Sequence, residues 1–287
     1  MGKDWQGKVA VVTGGSTGIG LALCNALAEE GMDIVVSSSN PKNLDVAKTE
    51  IEKKGGKVLA IPCDVTNRAQ VYELAQQAKA EFGQIDLVCA NAGATTVGRL
   101  VDHGDADWDW AIDLNFRGVT HCLQAFYPDM AERESGTIMM TSSQVALSPD
   151  WVFNHGPYVA AKAAVLGLGL SLRPEAAKHG VNISVLLPAG TETEIVTSKP
   201  RRVPDENGAE FEMNLAAPKI DEERPFFLST DEVAQRAIAG LRRNDAMIIT
   251  HGNARPLFEQ WCDTINEAYK KADEFEIPVA TNNLKTD

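Results

Sequence analysis

Cysteine is sparse in this chain and shows no pairing pattern. Cys24, Cys63, Cys89, Cys122 and Cys262 stand far apart, without a CxxC pair or a neighbouring histidine cluster. That excludes a zinc site of ordinary ligand spacing and argues against a disulfide scaffold, so reduced, mostly buried thiols of a cytoplasmic protein are expected. Long apolar runs are also lacking. No stretch approaches the roughly 18 apolar residues of a membrane span, and MGKDWQGKVAVV at the start carries no signal-peptide core. Positive charge is in deficit, with 27 Lys and Arg against 40 Asp and Glu and a formal net charge of −13. Phosphate surfaces are bound by clustered Lys and Arg, so neither nucleic acid nor an anionic membrane is an expected partner. The GxSxG elbow of a serine hydrolase does not occur either.

What is present is an alternation. Seven short β-branched runs, at 8–12, 33–37, 57–61, 85–90, 137–142, 181–187 and 247–250, are nearly continuous in apolar residues. Such strands suit a parallel sheet covered on both faces. Between them lie amphipathic stretches with stop signals, such as 21–31 ending on Gly31 and 67–83 ending on Gly83. The pattern predicts an α/β fold, a doubly wound Rossmann-like parallel sheet of about seven strands with helices on both faces. The 287 residues are read as a single dinucleotide-binding and catalytic domain. One stretch, at about 194–228, breaks the rhythm with prolines and paired arginines. It reads as an insertion, either a plain surface loop or a lid over the site. A further helix is expected at about 254–272.

Two local patterns carry chemistry. TGGSTGIG (13–20) directly follows the first strand and opens the first helix. Gly14, Gly18 and Gly20 allow a tight turn, the approach of a pyrophosphate and close helix packing, while the helix N-terminus offers free N–H groups. Further along, Tyr158 and Lys162 stand one turn apart within GPYVAAKAAVLGLGLSL (156–172). Positions four apart share a helix face. An ammonium beside a phenol commonly moves its pKa by about 1–3 units toward the phenolate, so Lys162 is expected to lower Tyr158 into the range of general acid–base catalysis.

TGxxxGxG, the Asn91-Ala92-Gly93 triplet after the fourth strand, the serines Ser142 and Ser143 after the fifth, and YxxxK occur in one register that resembles the short-chain dehydrogenase/reductase family. The likeness spans residues 5 to about 195. It implies an NAD(P)-dependent oxidoreductase that interconverts a secondary alcohol and a ketone, with Tyr158 as general acid/base. Ser143, or failing it Ser142, would hydrogen-bond the substrate oxygen. Lys162 would also hold the cofactor ribose, and Asn115 would support a proton relay to Lys162. The resemblance assigns cofactor contacts to Gly14, Ser16, Thr17, Gly18, Ile19 and Gly20, to Ser38, Ser39 and Asn40, and to Asp64 and Val65. It assigns them also to Asn91, Ala92 and Gly93, to Tyr158 and Lys162, and to Pro188, Gly190 and Thr193. Ala189 departs from the family's PGxxxT segment. No metal is expected. The small residues around Tyr158 (Ala160, Ala161, Ala163, Ala164, Gly167 and Gly169) fit close helix-on-helix packing, and the resemblance implies that this helix builds a homodimer or homotetramer.

The second strand ends in VVSSSN (35–40), with Ser38 where an NAD-preferring fold carries an acid. No carboxylate repels a 2′-phosphate there, three hydroxyls could receive one, and Lys42 lies nearby. Thr17 and Ser39, however, stand where Lys or Arg is frequent in NADP-dependent members. NADP is favoured over NAD. The stretch 148–157 brings in Trp151, Phe153 and His155, either as a wall for a bulky or aromatic substrate or as a surface and subunit contact. Two other readings remain open: a non-catalytic NAD(P)-binding regulator, and a nucleotide-sugar epimerase or dehydratase.

Overall fold

A computed structural model describes residues 5–95, 97–193 and 227–274. All seven expected strands form, as β1 (Val9–Thr13), β2 (Asp33–Ser38), β3 (Val58–Pro62), β4 (Leu87–Ala90), β5 (Gly136–Thr141), β6 (Val181–Leu187) and β7 (Met247–Ile249). They pair in parallel in one sheet of order β3-β2-β1-β4-β5-β6-β7. The chain runs outward in one direction from β1 to β3 and in the other from β4 to β7. The reversal falls between β1 and β4, where open α/β sheets bind ligands beyond the carboxyl ends of their strands.

Helices α1 (Gly18–Glu29), α2 (Pro41–Glu52) and α7 (Thr230–Arg243) cover one face. Helices α3 (Arg68–Phe82), α5 (Gly118–Glu132) and α6 (Gly156–Lys178) cover the other, and α4 (Asp105–Ile112) precedes α5. Side chains alternate between two apolar cores with the period of two that a pleated strand imposes. Val9 and Val11 join Val71, Leu74, Phe126 and Val165, whereas Ala10 and Val12 join Leu23, Leu27, Ile51 and Ile238. The strands read as unbroken apolar runs because both of their faces are buried.

Local signals set the helix ends. Asn67 Oδ1 accepts hydrogen bonds from the backbone N–H groups of Ala69 and Gln70, at 3.0 and 3.3 Å, and Gly83 ends α3 at φ +78. Ser229 and Glu232 close a reciprocal capping box at the start of α7. Between α4 and α5 the helix widens into a π-turn over Asp113–Arg117, and the polar Asn115 lies fully buried there.

The insertion expected at about 194–228 lies outside the described residues except for Phe227 and Leu228. Its two ends are held side by side: Leu228 N donates to Gly190 O at 3.1 Å and Glu192 N to Leu228 O at 3.0 Å. The expected C-terminal helix is α8 (Arg255–Asp273). Its apolar stripe is not covered by the described residues, since Phe258, Ile265 and Tyr269 stay exposed. All five cysteines are free, and burial pushes the Cys89 thiol up to about 12. Among the described residues, no helix is long and apolar enough to cross a membrane, and no three His, Cys, Asp or Glu side chains converge as metal ligands.

Candidate active site

The glycine turn sits at the reversal point. Gly14 and Gly18 have φ of +64 and +56, in the left-handed region that side chains rarely adopt. A Cβ at Gly20 would lie 2.1 Å from Gly14 O, and one at Gly14 would lie 2.8 Å from Ala92 Cα. Thr17, in extended conformation at the N-cap of α1, makes no side-chain cap, so nothing from that residue competes for the first-turn N–H groups around Ile19. A strand-turn-helix cradle that only glycines let close this tightly, with first-turn N–H groups left uncapped by Thr17, suits a pyrophosphate.

At the end of β2, Ser38 Oγ accepts hydrogen bonds from Ser16 Oγ at 2.7 Å and from Asn40 N at 3.2 Å. Its own proton is thereby left to donate. Asn40 is otherwise occupied as the cap of α2, accepting from Lys42 N. Only two of the three expected hydroxyls can face a ligand. Ser39 is exposed and Ser38 lies at the strand end, but Ser37 is fully buried in the sheet. The strand period turns it inward, which corrects the expectation of a three-hydroxyl site.

The triplet after β4 is a strut as well as a lining. Asn91 Nδ2 donates to Thr13 O, and Thr141 Oγ1 donates to Asn91 Oδ1 at 3.1 Å, so the residue ties β1 to β5 across β4. Ala92 N donates to Thr13 Oγ1. A Cβ at Gly93 would lie 2.7 Å from Asn115 Oδ1 and 3.1 Å from Lys162 Nζ, so these three positions meet. Asp64 Oδ1 accepts from Thr66 N and Oγ1, while the buried Val65 packs against Gly118 at the start of α5.

The serines divide their work by geometry. Ser142 Oγ donates to Lys162 O at 2.7 Å and is spent on the backbone of α6. The Ser143 hydroxyl stands by the Tyr158 phenol and favours its ionised form. Lys162 is buried and donates from Nζ to Thr141 O at 2.9 Å, with Nζ 5.7 Å from the centre of the Tyr158 ring. Asn115 donates to Ala94 O at 2.9 Å and to Ala111 O at 3.0 Å, and accepts from Ala94 N. The π-turn lets one residue leave the regular ladder and fix the strand-to-helix loop.

The electrostatics correct the expectation for Tyr158. Its pKa is raised above 10 by burial, with the Ser143 hydroxyl acting in the opposite direction. Lys162 is lowered to about 8, again by burial. Desolvation penalises both charged forms, and here it outweighs their mutual attraction. The lysine therefore loses its proton before the phenol does. In the protein by itself, Tyr158 at neutral pH is a protonated phenol beside a serine hydroxyl.

Pro188 and Gly190 follow β6 beside this cluster. Pro188 O accepts from Gln144 N at 2.7 Å and from Ser143 Oγ at 3.4 Å. Thr193 reaches back to the glycine turn, its Cγ2 lying 3.4 Å from a Cβ built on Gly18. Trp151 is half-buried, Phe153 is 80% exposed, and His155 is buried with Nδ1 on Phe153 O. Phe153 thus points to solvent among the described residues. Sequence reasoning overlooked Thr13, the Thr141 carbonyl and His251. The first two act through strand-end geometry, and His251 comes close only because β7 lies next to β6.

The short chain dehydrogenase family model matches residues 8–203. An oxidoreductase of Staphylococcus aureus is 34% identical over 191 residues, 67% of this chain and 81% of that one. The 3-oxoacyl-(acyl-carrier-protein) reductase FabG of Thermotoga maritima is 32% identical over 199 residues, 69% of this chain and 79% of that protein. A short chain dehydrogenase/reductase of Burkholderia phymatum, crystallised with NAD, superposes with a TM-score of 0.81 at 27% identity, covering 93% of this chain and 96% of that one.

Proposed function

The chain belongs to the short-chain dehydrogenase family, and from that premise we propose that it reduces a ketone to a secondary alcohol, reversibly, with Tyr158 as the proton carrier. The family's oxidoreductases use NAD(P), and the glycine cradle described above fits a dinucleotide. Bound there, the nicotinamide supplies the hydride, and the protein's part is binding, orientation and proton transfer. Ser143 orients the carbonyl oxygen toward Tyr158. The phenol, protonated at neutral pH, donates to that oxygen as negative charge develops on it. Lys162 holds the ribose and replenishes the proton, with Asn115 as a support beside it.

The observation that carries this reading is the Ser143–Tyr158–Lys162 cluster, in which Ser143 and Lys162 are buried and Tyr158 stays partly exposed. Lys162 lies 3% exposed, and its Nζ donates to the backbone carbonyl of Thr141 with no carboxylate bonded to it among the described residues. A protein that merely bound a nucleotide would have no use for so costly a burial. Tyr158→Phe is expected to lower turnover by about 10²–10⁴-fold, the range of one general acid, while dinucleotide binding stays within about twofold. Substantial turnover in that variant would refute the role.

NADP is the favoured dinucleotide, supported by the missing carboxylate at Ser38 and the exposed Lys42 nearby. The reductase activity named for the Thermotoga relative agrees with carbonyl reduction. A bulky or aromatic substrate is proposed from half-buried Trp151 in the stretch between Ser143 and Tyr158, and relative kcat/KM over aliphatic and aryl ketones tests it. The exposed Ala160, Ala163 and Gly167 of α6 suit self-association into a homodimer or homotetramer.

A further inference from the structure

His251 lies two residues beyond β7 and is 1% exposed. Its Nδ1 lies 3.2 Å from Ala189 N and 2.7 Å from Thr250 Oγ1, and its Nε2 lies 2.7 Å from Gly190 O. One protonation state satisfies these partners. A backbone N–H can only donate, so Nδ1 must accept, and a carbonyl can only accept, so Nε2 must carry the proton. The ring therefore grips two successive peptide units, Ala189 and Gly190, from the β7 side. From the other side, Gln144 N and Ser143 Oγ hold Pro188 O. The segment between β6 and Thr193 is strung between the Ser143 loop and His251, and reaches the glycine turn at Gly18.

We propose that His251 is a positioning residue for the cofactor: its neutral ring holds the Ala189–Gly190 backbone in the shape that receives the nicotinamide end of the dinucleotide. The inference rests on the dinucleotide reading of this cleft and adds a residue more than 50 positions from the segment it holds.

Protonation would place an Nδ1–H against the Ala189 N–H, two donors facing each other, and the grip would open. Among the described residues, α7 brings two charged groups to the ring: Arg236, which donates to Thr250 O, and Glu232. The Pro188–Thr193 segment adds only the exposed Glu192. Burial is the largest influence and lowers the His251 pKa below 6.5; Arg236 acts with it, while the Gly190 hydrogen bond and Glu232 oppose. The grip is thus intact at neutral pH and lost as pH falls through a value below 6.5.

The test measures dissociation constants of NADPH and NADH by fluorescence between pH 5 and 8, on the full chain and two variants. His251→Asn keeps an acceptor near the Nδ1 position but cannot titrate; His251→Gln lacks that acceptor. Wild-type affinity is expected to weaken about tenfold from pH 7 to 5. His251→Asn should match it within threefold at pH 7 and show a flat profile, and His251→Gln should bind about tenfold more weakly at pH 7. A wild-type pH slope retained in His251→Asn, or unchanged binding in His251→Gln, overturns the inference alone. A wild-type chain that binds neither dinucleotide overturns the functional reading beneath it. If the variants do not fold, histidine ¹⁵N shifts of the wild type decide: a protonated Nδ1 on His251 at pH 7 overturns the proposal, and a bare Nδ1 that gains its proton as NADPH affinity falls supports it.

Discussion

Replacing Lys162 by methionine separates stability from activity. The lysine is buried, and its pKa falls from 10.5 to about 8 through desolvation. At about 1.4 kcal/mol per pH unit, a depression of that size means roughly 3 kcal/mol of penalty on the charged form. Methionine nearly matches the side-chain volume and removes the charge. It also abandons the hydrogen bond to Thr141 O, and leaving a buried carbonyl unpaired costs about 1–3 kcal/mol. The two effects nearly cancel at pH 7, so Lys162→Met should be as stable as wild type or up to about 2 kcal/mol more stable. The sign of the pH dependence is the sharper test. Below pH 8 the wild type bears the whole penalty, because the unfolded chain binds the proton more tightly than the folded one. Between pH 8 and 10.5 the unfolded chain still holds a proton that the folded one has shed, so wild-type stability rises relative to the variant. Urea unfolding of the cofactor-free proteins at pH 7 and 9.5 should therefore show the difference moving by roughly 2 kcal/mol toward the wild type. Turnover in the variant should fall at least about a hundredfold at both pH values. A stability difference that stays constant between the two pH values would refute the buried-ammonium argument, whatever the activity.

Placing a carboxylate at the end of β2 with Ser38→Asp should shift cofactor preference toward NAD, because a 2′-phosphate would meet a like charge while a ribose hydroxyl gains an acceptor. At least a tenfold fall in the ratio of kcat/KM with NADPH to that with NADH is expected, and an unchanged ratio would remove Ser38 from the cofactor site. Ala163→Glu puts a charge on the exposed small-residue face of α6, where it should alter the fold by no more than about 0.5 kcal/mol. Light scattering should report a smaller assembly than wild type; an unchanged mass would mean that subunits do not meet on α6.

Much of the architecture can be read along the chain because its signals are local. Each strand is a short β-branched run, and each run formed a strand because both faces of a parallel sheet must be apolar. Asn67, Gly83 and Ser229 mark helix ends by hydrogen bonds or φ values that involve only their own neighbours. The glycine turn is legible for the same reason: Gly14, Gly18 and Gly20 meet their constraints within a few residues of strand and helix. The Tyr158–Lys162 pair is legible as a pair, since one helical turn brings them together. The sign of their electrostatics is not legible there, because desolvation depends on what every other element packs around them.

The sequence by itself thus determined the doubly wound sheet, the glycine turn and the Tyr158–Lys162 pair on which the proposed chemistry rests. Periodicity, glycine spacing and residue chemistry all act over a few residues. Tertiary structure alone decided that Ser142 is spent on α6 while Ser143 meets the phenol, and that Ser37 is lost to the core. Folding also set burial above attraction at Tyr158 and Lys162, and brought His251 against Ala189 and Gly190. These outcomes turn on which atoms lie across a strand or an interface, and on how much water remains between them, neither of which is carried by any short stretch of chain.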